Sequence, residues 1–259
     1  MVRRCAQSVL GGGSGINHVC MVPSRNAGAS SNVAGNCTIR DMRQVCLMGF
    51  MFLQSGQNYE IGARKERPHD VACVISGGAA PYLTVDLKPS QSVLCDFDDV
   101  RMVGEFISIR PWPSLSKSTR LLVNIGQSEP AQAVLSSGQA GSIGAFDLAD
   151  CGKRLVCRSR SFLAAGTGVM ANSYTRHKTH AYGVLEFLVL DGSGWVFLQS
   201  QGETLHRKLA PGECLDVNAA AIVAMSATID LSAYPSQGRR QADREVDGRM
   251  ARLTGPGSV

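Results

Sequence analysis

Two histidines, His177 and His180, stand three apart in RHKTH (176–180), a spacing that can bring two imidazoles to one cation. Arg176 and Lys178 interleave them and would repel that ion, and no acid or thiol stands close by. The segment therefore reads as a solvated basic loop. Cys151 and Cys157 bracket Lys153 and Arg154, cations that can lower a thiol pKa, yet neither thiol sits in a nucleophile motif. Gly11 to Gly15 is glycine-rich but lacks the Lys-Ser/Thr of a phosphate cradle. No G-x-S-x-G elbow occurs. A cupin-type metal site needs histidines paired across neighbouring strands. This chain has no H-x-H, and Glu186, Glu203 and Glu213 have no histidine at a suitable spacing. The expectation is no catalytic residue, no metal and no cofactor, so a chain that is not an enzyme. A cupin-like metal enzyme is the weakest of three readings.

What remains is charge. Arg64, Lys65 and Arg67 form one basic cluster; Lys153, Arg154, Arg158 and Arg160 a second; Arg176, His177 and Lys178 a third, flanked by Tyr174 and Tyr182. Basic groups beside aromatic rings can hold phosphates and stack bases. They can equally meet anionic lipid headgroups or an acidic protein. The net charge of +5 is uneven: eight Lys/Arg and three acids precede residue 68, and the rest carries 18 of each sign. Any RNA surface would be a local patch, not a field of the whole molecule.

The elements that must position these groups read as β structure. Short β-rich runs separated by turns recur from residue 57 onward: Val71–Ile75, Tyr82–Leu87, Ser92–Phe97, Val100–Ile109 and Leu121–Ile125. Residues 126–153, rich in Gly, Ser, Gln and Ala, read as a long excursion. Gly183–Leu190, Asp191-Gly-Ser-Gly194 and Trp195–Gln199 make a hairpin signal. Two stretches, 83–109 and 205–231, align without a gap at an offset of 122: Leu83 with Leu205, Leu87 with Leu209, Pro89 with Pro211, Ile107 with Ile229. This predicts an all-β antiparallel sandwich or barrel of two repeated units.

Before the first acid, Asp41, lie Arg3, Arg4, Arg25 and Arg40 among Ser, Gly and Asn, the composition of a mitochondrial transit peptide. The nine-residue apolar run 45–53 is too short to span a bilayer, which takes about 20 residues, so no transmembrane segment is expected. Nine cysteines without C-x-x-C spacing suggest free, buried thiols. The domain reading is 1–44 as transit peptide or disordered leader, 45–233 as the β domain, and 234–259 as a charged tail or short helix around 242–253.

The stretch 194–231 resembles the altered-inheritance-of-mitochondria protein twenty-four family. The resemblance rests on Gly194, Val196, Phe197, Leu198, Gly202, Leu209, the Pro211-Gly212-Glu213 turn, Leu215, Val217, Val223 and Ala224. The first copy keeps Pro89 but has Ser90-Gln91 in place of Gly-Glu. The resemblance implies a fold similar to the trp RNA-binding attenuation protein, mitochondrial residence, and non-enzymatic organising or assembly work linked to the inner membrane. The favoured function is thus a scaffold acting through contacts with other mitochondrial proteins, in the matrix or at the inner-membrane periphery, where peripheral lipid contact is also open. The alternative is an RNA-binding subunit of a mitochondrial ribonucleoprotein.

Overall fold

The computed structural model describes residues 71–112, 118–174, 178–179, 183–184, 186–235 and 249–259, with backbone strands at 37–38, 50–52 and 59–61. In chain order the lead-in strands are β1 (Cys37–Thr38), β2 (Phe50–Phe52), β3 (Tyr59–Ile61), β4 (Ala72–Ser76) and β5 (Tyr82–Leu87). Next come β6 (Ser92–Asp96), β7 (Val100–Val103), β8 (Ile107–Pro111), β9 (Thr119–Asn124), β10 (Ala131–Leu135) and β11 (Gly141–Asp147). The middle holds β12 (Arg154–Arg158), β13 (Phe162–Gly166), β14 (Val169–Tyr174), β15 (Lys178–Thr179), β16 (Gly183–Val184) and β17 (Phe187–Gly192). The last are β18 (Trp195–Gln201), β19 (Lys208–Leu209), β20 (Cys214–Asn218), β21 (Ala224–Ser226), β22 (Asp230–Pro235), β23 (Arg249–Thr254) and β24 (Gly257–Ser258). All fall within Ala34–Val259, one of the chain's two units. The other, Met1–Val33, lies outside the described residues, and most of the expected import segment with it.

The expected all-β, antiparallel class holds; among the described strands only the short pair β1 and β3 runs parallel. Four sheets share three apolar cores in series. The first sheet, β1-β3-β4-β5-β10-β7, and the second, β2-β11-β18-β13-β6-β9-β8, enclose Leu83, Val85, Cys95, Leu122 and Phe197. The second and third (β14-β17-β12-β21) enclose Leu94, Phe146, Leu155 and Leu190. The third and fourth (β20-β23-β22) enclose Val156, Phe187, Met225, Leu231 and Leu253. The period-2 rule makes this stacking possible: Val93 and Cys95 face one core, and Leu94 between them faces the next. A strand buried on both faces reads as a continuous apolar run, as Trp195–Leu198 does.

One motif recurs: a strand, a one-turn 3-10 corner, and a strand in the neighbouring sheet. The corners are Phe97–Asp99, Ser159–Ser161 and Ala219–Ala221. Among the described residues the strand–corner–strand unit therefore occurs three times. The middle copy escapes sequence comparison because its offset from the first is 62, it has no Pro at the preceding turn, and its corner reads Ser-Arg-Ser. Pro89 and Pro211 occupy like surroundings. Gln91 N–H donates to Lys88 O at 3.0 Å and Glu213 N–H to Ala210 O at 3.0 Å. The residue after each proline has positive φ, 67° at Ser90 and 76° at Gly212.

Two further expectations are corrected. Residues 126–153 are no excursion, since they carry β10 and β11, with Ala131, Ala133 and Leu135 buried on one face. Small residues hide strands from propensity, but they suit sheets packed closely on both sides. Nor is 249–259 a solvated tail or helix. It forms β23 and β24, and Ala251 and Leu253 are fully buried in the third core. Alternation of Ala251 and Leu253 with Met250 and Arg252 is a half-buried strand, hidden by the charged run before it.

Candidate contact surface

Of the three basic clusters, Arg64, Lys65, Arg67, Arg176 and His177 lie outside the described residues. Lys178 is described only through the backbone of β15, which pairs with β16. The middle cluster is spread along one strand and not gathered. Lys153 occupies the turn before β12 with φ 63°. Arg154, at one end of β12, makes a two-pronged ion pair with Asp191 on β17, its Nη2 at 3.1 Å from Oδ2. At the other end, Arg158 donates from Nη1 to Ala219 O at 2.7 Å, tying the second repeat to the third corner. Arg160 is exposed on the second corner. The five strand residues from Arg154 to Arg158 alone span about 13 Å. Two of the four side chains thus bind the protein itself.

The three corners are chemically unlike. The first is acidic: Asp96 accepts Asp98 N–H at 3.1 Å and Ser118 Oγ at 3.1 Å, while Gln199 Nε2 donates to Asp99 at 2.7 Å. Burial raises the Asp99 carboxyl above its ordinary range, against the lowering effect of the Gln199 bond. The second corner is basic through Arg160, and the third is all alanine, capped by Asn218 accepting Ala220 N–H at 2.9 Å. No group of three His, Cys, Asp or Glu able to hold a metal occurs among the described residues. Cys73, Cys95 and Cys157 are buried thiols, and Cys214 is an exposed one. Burial first, then Asp96 and Asp99, push the Cys95 thiol up to about 12, opposed by Arg120. Burial raises Cys157 as well.

Exposed apolar surface is concentrated in the first repeat. Phe97, Met102, Phe106, Ile109, Trp112 and Ile125 are all exposed, whereas the third repeat contributes one large exposed side chain among the described residues, Leu205 at its start. The repeats supply an internal standard. Ile109 of β8 corresponds to Ala171 of β14 and Leu231 of β22. Ile109 is 39% exposed, against 4% and 2% for its counterparts. The same position is covered in two repeats by a preceding repeat and exposed in the first, for which no preceding repeat occurs among the described residues. Beside this shelf, Arg120 stacks over Phe97 with 5.6 Å from guanidinium carbon to ring centroid. The edge of β7 adds main-chain donors and acceptors: β7 pairs with β10 on one side, and no described strand pairs with its other side. An apolar shelf next to an open sheet edge can bind an extended segment through backbone hydrogen bonds and side-chain burial together.

Single-sequence inspection misses this shelf because exposed and buried apolar residues look alike in the chain. The signal that finds it is the alignment of repeats, where Arg120 stands in register with the buried Leu188 and Ala251.

A family model for mitochondrial biogenesis AIM24 matches residues 73–259. The chain belongs to that family, which carries a role in mitochondrial biogenesis and supports a mitochondrial location. Among solved structures, a crystal structure of a Streptococcus pyogenes protein is similar, with a TM-score of 0.62 and 17% identity. The match covers 73% of this chain and 91% of that one, a likeness of fold. None of the curated proteins matches the chain.

Proposed function

We propose that this member of the mitochondrial biogenesis AIM24 family is a non-enzymatic scaffold or assembly protein, working through protein contacts at its sheet edges. One observation carries the reading: the first repeat leaves an apolar shelf and a sheet edge bare where the equivalent surfaces of the other repeats are buried. Exposed apolar side chains together with an unpaired sheet edge suit a binding role. The hydrogen bond from Arg158 to the Ala219 carbonyl also supports it, since it commits one member of the middle basic cluster to the fold. We further propose residence in the matrix or at the inner-membrane periphery, as the resemblance implied. The repeated antiparallel corner units support a kinship with the trp RNA-binding attenuation protein-like fold.

The test is purification of the tagged chain from mitochondria, wild type beside Ile109→Lys, with and without ribonuclease. The expected outcome is a set of protein partners that survives ribonuclease and is lost in the variant. Partners released by ribonuclease, with RNA binding that weakens as salt rises, would favour the ribonucleoprotein alternative. Partners unaffected by the shelf variant would remove the shelf from the function.

A further inference from the structure

The strand that leads into each repeat's turn is whole in the first repeat and cut short in the third. In the first it is β5, whose inward residues Leu83, Val85 and Leu87 are fully buried in the first core. At the offset of 122 these positions are Leu205, Arg207 and Leu209. Leu209 keeps the inward place, 1% exposed in the third core. Leu205 is 91% exposed, the most exposed large apolar side chain among the described residues. Of residues 203–209, only Lys208 and Leu209 are strand, as β19.

The neighbours of this strand differ in the same way. In the first repeat β5 lies between β10 and β4, and in the second β11 lies between β18 and β2. In the third, β19 has β24 on one side and no described strand on the other. Strand β24 takes the place of β10, since Leu209 pairs with Gly257 as Leu87 pairs with Ala131. The neighbour without a counterpart is therefore the one that β4 and β2 supply. Strand β2 shows that it can come from outside the repeat: Phe50–Phe52, ahead of the first repeat, pairs antiparallel with β11 of the second. The vacant side is also fixed in place. Arg207 N–H donates to Val259 O at 2.6 Å and Val259 N–H to Arg207 O at 2.8 Å. Strand alternation then turns the main-chain groups of Lys208 to the opposite side. Upstream, Thr204 Oγ1 lies 2.8 Å from Ser200 Oγ and 3.1 Å from Ser142 Oγ. A stretch held at both ends pays less ordering entropy when a partner pairs with it.

We infer that an extended segment of a partner protein, aliphatic with a carboxylate at its leading end, adds antiparallel along residues 204–208 in the place that β4 takes beside β5. The template sets the register. Ala72, Cys73, Val74 and Ile75 of β4 lie opposite Asp86, Val85, Thr84 and Leu83. Four successive partner residues thus lie opposite Lys208, Arg207, His206 and Leu205. The second and fourth share the face of Leu205 and Leu209, as Cys73 and Ile75 share the first core with Leu83. Aliphatic side chains at those two places cover Leu205. The first partner residue meets Lys208, an exposed cation at the position where β5 has Asp86, and a cross-strand Asp or Glu complements it. Arg207 already has an acid, Glu213 at 3.2 Å. Recognition of this kind draws adhesion from the main chain and selectivity from alternate side chains.

This inference adds a second contact site, with its partner chemistry, to the scaffold of the proposed function and rests on that reading. The test is fluorescence anisotropy of the purified full chain with the labelled peptide GSEVTVSGS, whose E, V, T and V fill the four places. The expected result is saturable binding. A peptide with K in place of that E binds about tenfold more weakly, and so does one with P in place of the T, which removes a ladder donor. Leu205→Glu weakens binding about tenfold with unchanged thermal unfolding, because the side chain it replaces is exposed. Lys208→Glu, also at an exposed position, reverses the preference towards the K peptide; should one variant fail to fold, the other decides. No saturable binding overturns the inference. So does binding that ignores the proline or the Leu205 variant, or a Lys208 variant that still prefers the E peptide. A wild-type chain whose mass falls to a monomer in Leu205→Glu also overturns it, assigning the site to a second copy. If the peptide does not bind while mitochondrial partners still depend on Ile109, this site falls and the scaffold reading stands. If the peptide binds as expected while no partner depends on Ile109, the shelf falls and this site stands.

Discussion

Ser90 holds a left-handed conformation, φ 67°, at the turn position where the other repeats have Gly152 (φ 71°) and Gly212 (φ 76°). A side chain there costs roughly 1 kcal/mol, which glycine avoids. Ser90→Gly is therefore expected to stabilise the fold by about 0.5–1 kcal/mol, read as a shift of the urea midpoint at constant slope. At the equivalent third turn, the Glu213 carboxyl is held below the usual carboxylate range, first by accepting Ala210 N–H at 2.9 Å and then by Arg207 at 3.2 Å. A depressed acid adds stability above its unfolded pKa and loses it as pH falls through the lower folded value. Glu213→Gln keeps an acceptor, as Gln91 shows by accepting Lys88 N–H at 3.0 Å. The variant should flatten the acid limb of stability below the ordinary pKa of 4.5, measured by urea unfolding from neutral pH downward. An unchanged limb would mean that the charge does not matter there.

At the scale of elements, Asn124 ends β9 where the second and third repeats have Gly192 and Gly255. Its buried amide donates to Leu87 O at 2.7 Å and Glu129 O at 3.0 Å, and its Oδ1 accepts Gly126 N–H at 2.8 Å. One side chain thus ties β5, β9 and the loop before β10. Asn124→Ala leaves those backbone groups without these bonds and should cost about 3 kcal/mol, seen in thermal or denaturant unfolding. The C-terminal strand is equally structural. Deleting residues 249–259 removes β23 from between β20 and β22 and exposes the third core. The expected result is a chain that exposes apolar surface to a reporter dye, with its third repeat open to protease at low concentrations that spare the full chain.

For the whole molecule, stacked repeats behave as a short one-dimensional array in which each unit leans on its neighbours. The middle repeat touches both, through Leu94 on one side and Val156 on the other. Truncating its core at Leu190, fully buried, should cost about 2–5 kcal/mol and should loosen both flanking repeats. Hydrogen exchange would show the loss spreading to β6 and β21, which pair with this repeat's strands. A loss confined to β12 and β17 would argue for independent units. The ends of the array are where neighbours are missing, and six of the large exposed apolar residues lie in the first repeat.

The chain alone determined its class, its family resemblance and the Pro-turn register, because those depend on local patterns: alternation in β5, the Asp-Gly hairpin turn before β18, and the offset of 122 between turns. Local pattern could not reveal the middle repeat, whose corner shares geometry but not residue types with the others. Nor could it show that Arg154 and Arg158 are held by Asp191 and the Ala219 carbonyl, partners 37 and 61 residues away. Ile109 and Leu231 are both aliphatic, and only packing makes one exposed and the other buried. Burial is a property of neighbours, and neighbours across stacked sheets come from distant parts of the chain.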